Sequence, residues 1–108
     1  MAKRLVRTRA ADRDLFRHAG RIRAERPATA RRFLVAVESA YRRLQQMPDI
    51  GVSRTSTRRG MEGARIWPVP RFGVFLILYR VLDDAVEIVR VVHAAEDITR
   101  HLKGNDSL

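Results

Sequence analysis

The densest apolar pattern in the chain lies between residues 74 and 93, where Val74 to Val81 and Ala85 to His93 form two β-branched runs joined through Leu82-Asp83-Asp84. Two such runs around a short acidic turn predict a β-hairpin. With Asp83 and Asp84 as a two-residue loop, counting outward pairs Val81 with Val86, Arg80 with Glu87, Tyr79 with Ile88 and Leu78 with Val89. The same count pairs Ile77 with Arg90, Leu76 with Val91, Phe75 with Val92 and Val74 with His93. This register sets opposite charges face to face at Arg80 and Glu87, yet it leaves both faces of the hairpin largely apolar. A sheet with one wet face alternates instead. Each large apolar side chain left in water forgoes roughly 1.5 to 3 kcal/mol. The face carrying Leu76, Leu78, Val89 and Val91 is therefore expected to be covered, either by a partner or by the chain's own terminal segment.

Upstream, Lys3 to Thr8 reads as a short strand, and the Thr8 hydroxyl is placed to cap a helix running from Arg9 to about Glu25. Leu15, Ala19 and Ile22, with Ala11 and His18 nearby, mark its apolar stripe, while Arg13, Arg17 and Arg21 repeat every four residues on another face. Pro27 disfavours helix at Arg26 and suits a first helical turn. A second helix follows, with Phe33, Val37, Ala40, Tyr41, Leu44 and Met47 at helical spacing until Pro48. So tight a junction predicts an antiparallel αα-hairpin packed on the sheet. Pro48 to Gly51 reads as a turn, and Val52 to Gly63 as a mobile basic loop without hydrophobic period. Ala64 to Val69 predicts a strand that its prolines confine to a sheet edge. Ala94 to Leu102 predicts a short helix, and the last residues, 103–108, a frayed tail.

Length and composition narrow the class. At 108 residues the chain suits a single domain, and without cysteine it has neither disulfides nor thiolate metal sites. Its N-terminus runs into charge, and no apolar stretch reaches bilayer length, so a cytoplasmic protein is expected. The net charge of +10 is concentrated at the front: residues 1–47 hold 13 Lys and Arg against 4 Asp and Glu, whereas residues 72–108 hold 4 against 6. Such a field attracts nucleic acid, anionic membrane or an acidic protein; an arginine-rich coding bias would produce it too. A nucleic-acid-binding module reading phosphates through Arg13, Arg17 and Arg21 is one function class that the charge leaves open.

Particular residues carry a family resemblance. Thr8, Ala11 and Asp14-Leu15 at the front, Pro48-Asp49-Ile50-Gly51, Arg65-Ile66-Trp67-Pro68-Val69, Leu78-Tyr79-Arg80-Val81, Val86 to His93 and Glu96-Asp97-Ile98 resemble the RelE/ParE superfamily of bacterial type II toxin–antitoxin toxins, and the second half looks most like the ParE branch. The resemblance implies an α+β fold: an N-terminal strand, an αα-hairpin, a three-stranded antiparallel meander and a short C-terminal helix. It also implies a growth-inhibiting toxin, of the plasmid-stabilisation type, in a hetero-oligomer with a cognate antitoxin. For that partner Arg13, Arg17, Arg21, Leu76, Leu78, Val89 and Val91 are the expected contacts.

Within the superfamily the ParE branch poisons DNA gyrase, and another branch cleaves messenger RNA in the ribosome. RNA cleavage through the 2′-OH needs a base, an acid and cations about the phosphate. Arg71, Arg80, Arg90 and His93 are the candidates for that chemistry. Against it, the tail from Lys103 to Leu108 has no Tyr or His of the kind that nuclease-branch members carry, and Arg80 faces Glu87. Gyrase is therefore the expected target, with ribosome and mRNA as the alternative, and Trp67 and Arg71 as candidate target contacts. His93, Asp97 and His101 are spaced by four, but a strand-to-helix change at Ala94 would separate them, so no metal is expected. No cofactor is expected either.

Overall fold

A computed structural model describes residues 2–96 and 98–103. Strand β1 (Arg4–Arg7) leads into helix α1 (Arg9–Glu25) and helix α2 (Pro27–Gln46). After a 3-10 turn at Pro48–Ile50 come β2 (Val52–Ser53), β3 (Ala64–Val69), β4 (Phe72–Val81) and β5 (Ala85–His93), then a last 3-10 turn at Ile98–His101. The strands form one sheet in the order β1-β5-β4-β3-β2, with β1 parallel to β5 and the other pairs antiparallel. The α+β class and the order of elements agree with the sequence.

Local chemistry explains the junctions. Thr8 Oγ1 accepts the Ala11 amide at 3.0 Å, capping α1, and donates to the Val89 carbonyl at 2.7 Å. One hydroxyl thus fixes both where the helix starts and where it sits on the sheet. Arg26 is the sole residue between the helices, held extended at φ −141° by the following proline. The helices pack on one sheet face, where Phe33, Val37, Tyr41 and Leu44 of α2 meet Ile77, Tyr79, Val86, Ile88 and Val91.

The second sheet face is covered from within the chain. Met61, from the loop after β2, and Leu102, from the C-terminal turn, bury Ala64, Ile66 and Leu78, with Leu76, Val89 and Ile98 at the margin. The Val52 to Gly63 segment, expected to be mobile, contains β2 and is tied to the C-terminus: the Thr57 and Arg58 amides donate to the Leu102 carbonyl at 2.9 and 3.2 Å. Correspondingly β3 is not an edge over Arg65 and Ile66, which pair with β2. It is an edge only toward Pro68, where a missing donor costs nothing. The expected C-terminal helix shortens to four residues, and all of the predicted tail but Lys103, that is residues 104–108, lies outside the described residues, as does Asp97.

The hairpin register holds from the turn to Tyr79 and Ile88, then slips by one, pairing Leu78 with Arg90, Ile77 with Val91, Leu76 with Val92 and Phe75 with His93. A β-bulge on β5 inserts one extra residue, and a one-residue slip turns every later side chain over. Val91 therefore packs under the helices instead of beside Leu76.

Candidate functional site

The bulge sits where β1 ends, because β1 pairs with β5 only as far as Ile88. Beyond that point the β5 edge is open, and α1 closes it with side chains. Asp14 Oδ2 accepts the Val91 N–H at 2.9 Å, and His18 Nε2 lies 2.9 Å from the Val91 carbonyl, which identifies Nε2 as the protonated nitrogen. Residues four apart on a helix lie on one face, so Asp14 and His18 replace both bonds of a missing strand partner. Asp14 also receives a fork from Arg90, Nε to Oδ2 at 2.7 Å and Nη2 to Oδ1 at 2.8 Å, and a further bond from Arg17 at 3.2 Å.

Electrostatics follow from this packing. Burial alone would raise the Asp14 carboxyl, but the Arg90 fork, the Val91 amide and Arg17 outweigh it and hold the pKa below its ordinary value. Burial pushes His18 down, against the opposing pull of its bond to the Val91 carbonyl, and so favours the neutral imidazole. Glu96 binds the His93 amide at 3.0 Å and faces Arg17 and His18, each at 3.8 Å. Against its partial burial, these neighbours keep its carboxyl low. His101 is buried with Nδ1 3.4 Å from Arg90 Nη1 and Nε2 without a partner among the described residues; burial, then Arg90 and Arg100, push it down.

The residues proposed for phosphate chemistry are engaged by other groups or, for Arg71 and Arg80, lie far apart. Arg80 is engaged by Glu87 at 2.6 Å, as the hairpin register requires, and Arg90 by Asp14. His93 Nδ1 accepts the Ala95 amide at 3.0 Å, and its ring stands edge-on to Phe75 at 5.1 Å between centroids. Arg71 precedes the first residue of β4 and Arg80 is the ninth; at about 3.3 Å per residue the two are separated by about 30 Å. No one phosphate can be met by both. Among the described residues no three His, Cys, Asp or Glu are grouped for a metal; Asp97, the middle of the His93, Asp97, His101 spacing, is outside them. No described helix is long and apolar enough to cross a membrane.

The expected partner contacts separate into two groups. Arg13, Arg17 and Arg21 are exposed on α1, although Arg17 is shared with Asp14. Leu76 and Val89 are partly buried, but Leu78 and Val91 are fully buried by the chain's own C-terminal cover and helices. Sequence reasoning missed the apolar surface that is exposed, on the outer side of the helical hairpin: Phe16 is 80% accessible, Val35 64% and Leu34 40%. Phe16 and Leu34 line a groove of about 420 Å³ between α1 and α2, rimmed by Arg23 and Arg31. Phe16 and Val35 fall off the main apolar stripes, and that is the signal that was available.

Two motifs prove to be one structural lock. The buried Tyr79 hydroxyl donates to the Pro48 carbonyl at 2.6 Å and accepts the Gly51 amide at 2.9 Å. A Cβ at residue 51 would strike the Tyr79 hydroxyl and ring, so the turn needs glycine there for space. Tyr79 offers no stacking face, because it is wholly buried. Trp67 is partly buried, with its indole Nε1 enclosed and without a partner among the described residues.

A five-stranded sheet packed on one face by an αα-hairpin, with a basic helical surface, is the architecture this chain shares with toxins of the ParE/RelE superfamily. The chain belongs to the family described as "ParE toxin of type II toxin-antitoxin system, parDE", whose model matches residues 5–98. Among solved structures it is similar to the chromosomal ParDE system from P. aeruginosa, at TM-score 0.69 and 24% identity over 85% of this chain and 96% of that one. It is also similar to the toxin–antitoxin complex RelBE2 from Mycobacterium tuberculosis, at TM-score 0.55 and 27% identity over 86% of this chain and 99% of that one. No curated protein matches the chain.

Proposed function

We propose that the protein arrests growth by poisoning DNA gyrase through binding, in the cytoplasm, and that a cognate antitoxin neutralises it in a hetero-oligomeric complex. The observation that carries this reading is the disposition of the cations. Arg80 and Arg90 are held by carboxylates, His93 is held by its own turn, and Arg71 stands about 30 Å along the strand from Arg80. Nothing hydrolytic is assembled from them. A binding inhibitor needs only surface, and the exposed Arg71 and Val74, near the partly buried Trp67, offer it.

For the antitoxin, Arg13 and Arg21 on α1 and Leu76 and Val89 on the other sheet face stay accessible enough to serve, and the exposed Phe16, Leu34 and Val35 add apolar area on the helical hairpin. An acidic segment that orders on binding suits such a surface. A second reading, ribosome-dependent mRNA cleavage, draws on the pairing of His101 with Arg90 at 3.4 Å. That imidazole is buried, which leaves it without a path to a phosphate.

Expression in growing bacteria separates the two readings. Growth should stop, resume when the protein encoded beside this chain is co-expressed, and leave cellular messages full length. Messages cut within codons during the arrest would instead establish the nuclease.

A further inference from the structure

A different surface is built from arginine without acid. Two adjoining cavities, of about 690 and 390 Å³, run between the outer side of α2 and the turn joining β3 to β4, and share Ser39 and Pro70. Arg31 and Arg32 line the first, Arg42 and Arg43 the second, and Arg71 closes the first from the turn. Among the described residues, no carboxylate is within ion-pair distance of any of the five. Arg32 reaches only Thr29, at 3.0 Å, and Arg43 only the Met47 sulfur, at 3.7 Å. Glu38, the one acidic residue of α2, lies a turn before Arg42 and pairs with none of them.

Arg71 adds an independent sign. Val69 pairs with Phe72, so Pro70 and Arg71 are the two central residues of a tight turn. Proline followed by a residue of positive φ is the pattern of a type II turn, whose second central position favours glycine. Arg71 occupies it at φ 69°, the one non-glycine residue at positive φ among the described residues. Backbone strain of this kind persists where the surrounding structure holds it, and it clusters at ligand clamps and other functional sites. Here its consequence is a fifth guanidinium on the wall opposite α2.

We infer that this groove binds the sugar–phosphate backbone of single-stranded nucleic acid. From Arg31 to Arg43 the helix rises about 18 Å, long enough to follow several consecutive phosphates. Ser39 and Gln46, between and beside the arginines, are neutral donors of the kind that fix phosphates in place. Trp67 and Phe72 stand at the groove as aromatic surface, one per cavity, the pairing of cationic track and aromatic platform that sequence-tolerant strand binding uses. Carboxylates take the guanidinium fork as phosphates do, so the choice of a nucleic-acid strand over an acidic protein segment rests on the aromatic surface beside the arginines, which suits bases. The site is distinct from the α1 stripe of Arg13, Arg17 and Arg21, and does not depend on gyrase being the target.

The test is fluorescence anisotropy with a labelled twenty-nucleotide oligothymidine and the full chain, over a salt series. Five phosphate contacts predict a log–log slope of about −3.5, or about a hundredfold loss between 50 and 200 mM salt. The variant carrying Arg31→Ala, Arg32→Ala and Arg71→Ala should flatten the slope by about 2 and weaken binding about tenfold or more. Arg13→Ala with Arg21→Ala should leave the slope within about one unit. Arg71→Gly is the sharpest arm: it should raise Tm by relieving the backbone while lowering affinity. Absence of binding, equal loss from the α1 variant, or displacement of the oligonucleotide by poly-glutamate through the same arginines would each overturn the proposal.

Discussion

Asp14 on α1 and Val91 on β5 are joined as two strands are, with the carboxylate accepting the Val91 amide at 2.9 Å in the place where β1 has already ended. The same carboxylate neutralises Arg90 at 2.7 Å, so it serves a sheet edge and a partly buried cation together. Removing one partner of such a set leaves the other desolvated and unpaired. Asp14→Ala should destabilise the fold by about 3 kcal/mol, read as a shift of the urea midpoint. Adding Arg90→Met to that variant should cost much less than Arg90→Met costs alone, since the guanidinium no longer has its acceptor.

The contact of Gly51 with Tyr79 makes a different prediction. Gly51 has φ −69°, which any residue adopts, so the cost of Gly51→Ala is steric and not conformational. It should destabilise by about 1–3 kcal/mol. Tyr79→Phe alone should cost about 1–2 kcal/mol by orphaning the Pro48 carbonyl and Gly51 amide. Because the added methyl meets the hydroxyl first, the double variant should be less destabilised than the sum of the two, measured by the same unfolding assay.

Acid should unfold the protein in two stages. His18 and His101 are lowered from 6.5, so the unfolded chain takes up their protons first, and stability present above about pH 6.5 is lost as pH falls toward their folded values. Asp14 and Glu96 are lowered from 3.8 and 4.5, and their contribution is lost below that range as each carboxylate is protonated. Thermal midpoints recorded from pH 8 to pH 3 should fall throughout. His18→Gln should remove part of the loss that sets in below pH 6.5 and leave the carboxylate stage in place.

What the sequence disclosed, and what it did not, follows from how each contact is encoded. Helical and strand periodicities are local, so β1, the αα-hairpin and β3 to β5 were legible, and with them the Arg80–Glu87 pair. The bulge was not, because a count in steps of two assumes that every residue has a partner; Val89 breaks it, and Arg90 and Val91 exchange faces. Cover of Leu78 by the terminal segment was one of the two expected arrangements, and Leu102 supplies it; Met61, from a segment without hydrophobic period, was not legible. Asp14 and His18 carried a signal that was readable: two polar residues four apart, beside Ala11 on the side of α1 that turned out to be buried. Polar groups there need partners, and the open edge of β5 supplies them. The arginine groove needed the turn geometry at Arg71, which no spacing rule reports.

Gyrase with relaxed plasmid DNA and ATP tests the functional account most directly. Purified toxin should block supercoiling and, on addition of detergent and protease, yield linear DNA in proportion to toxin, with pre-incubated antitoxin abolishing both effects. Full supercoiling at saturating, folded toxin, together with cut messages in a translating extract, would contradict it.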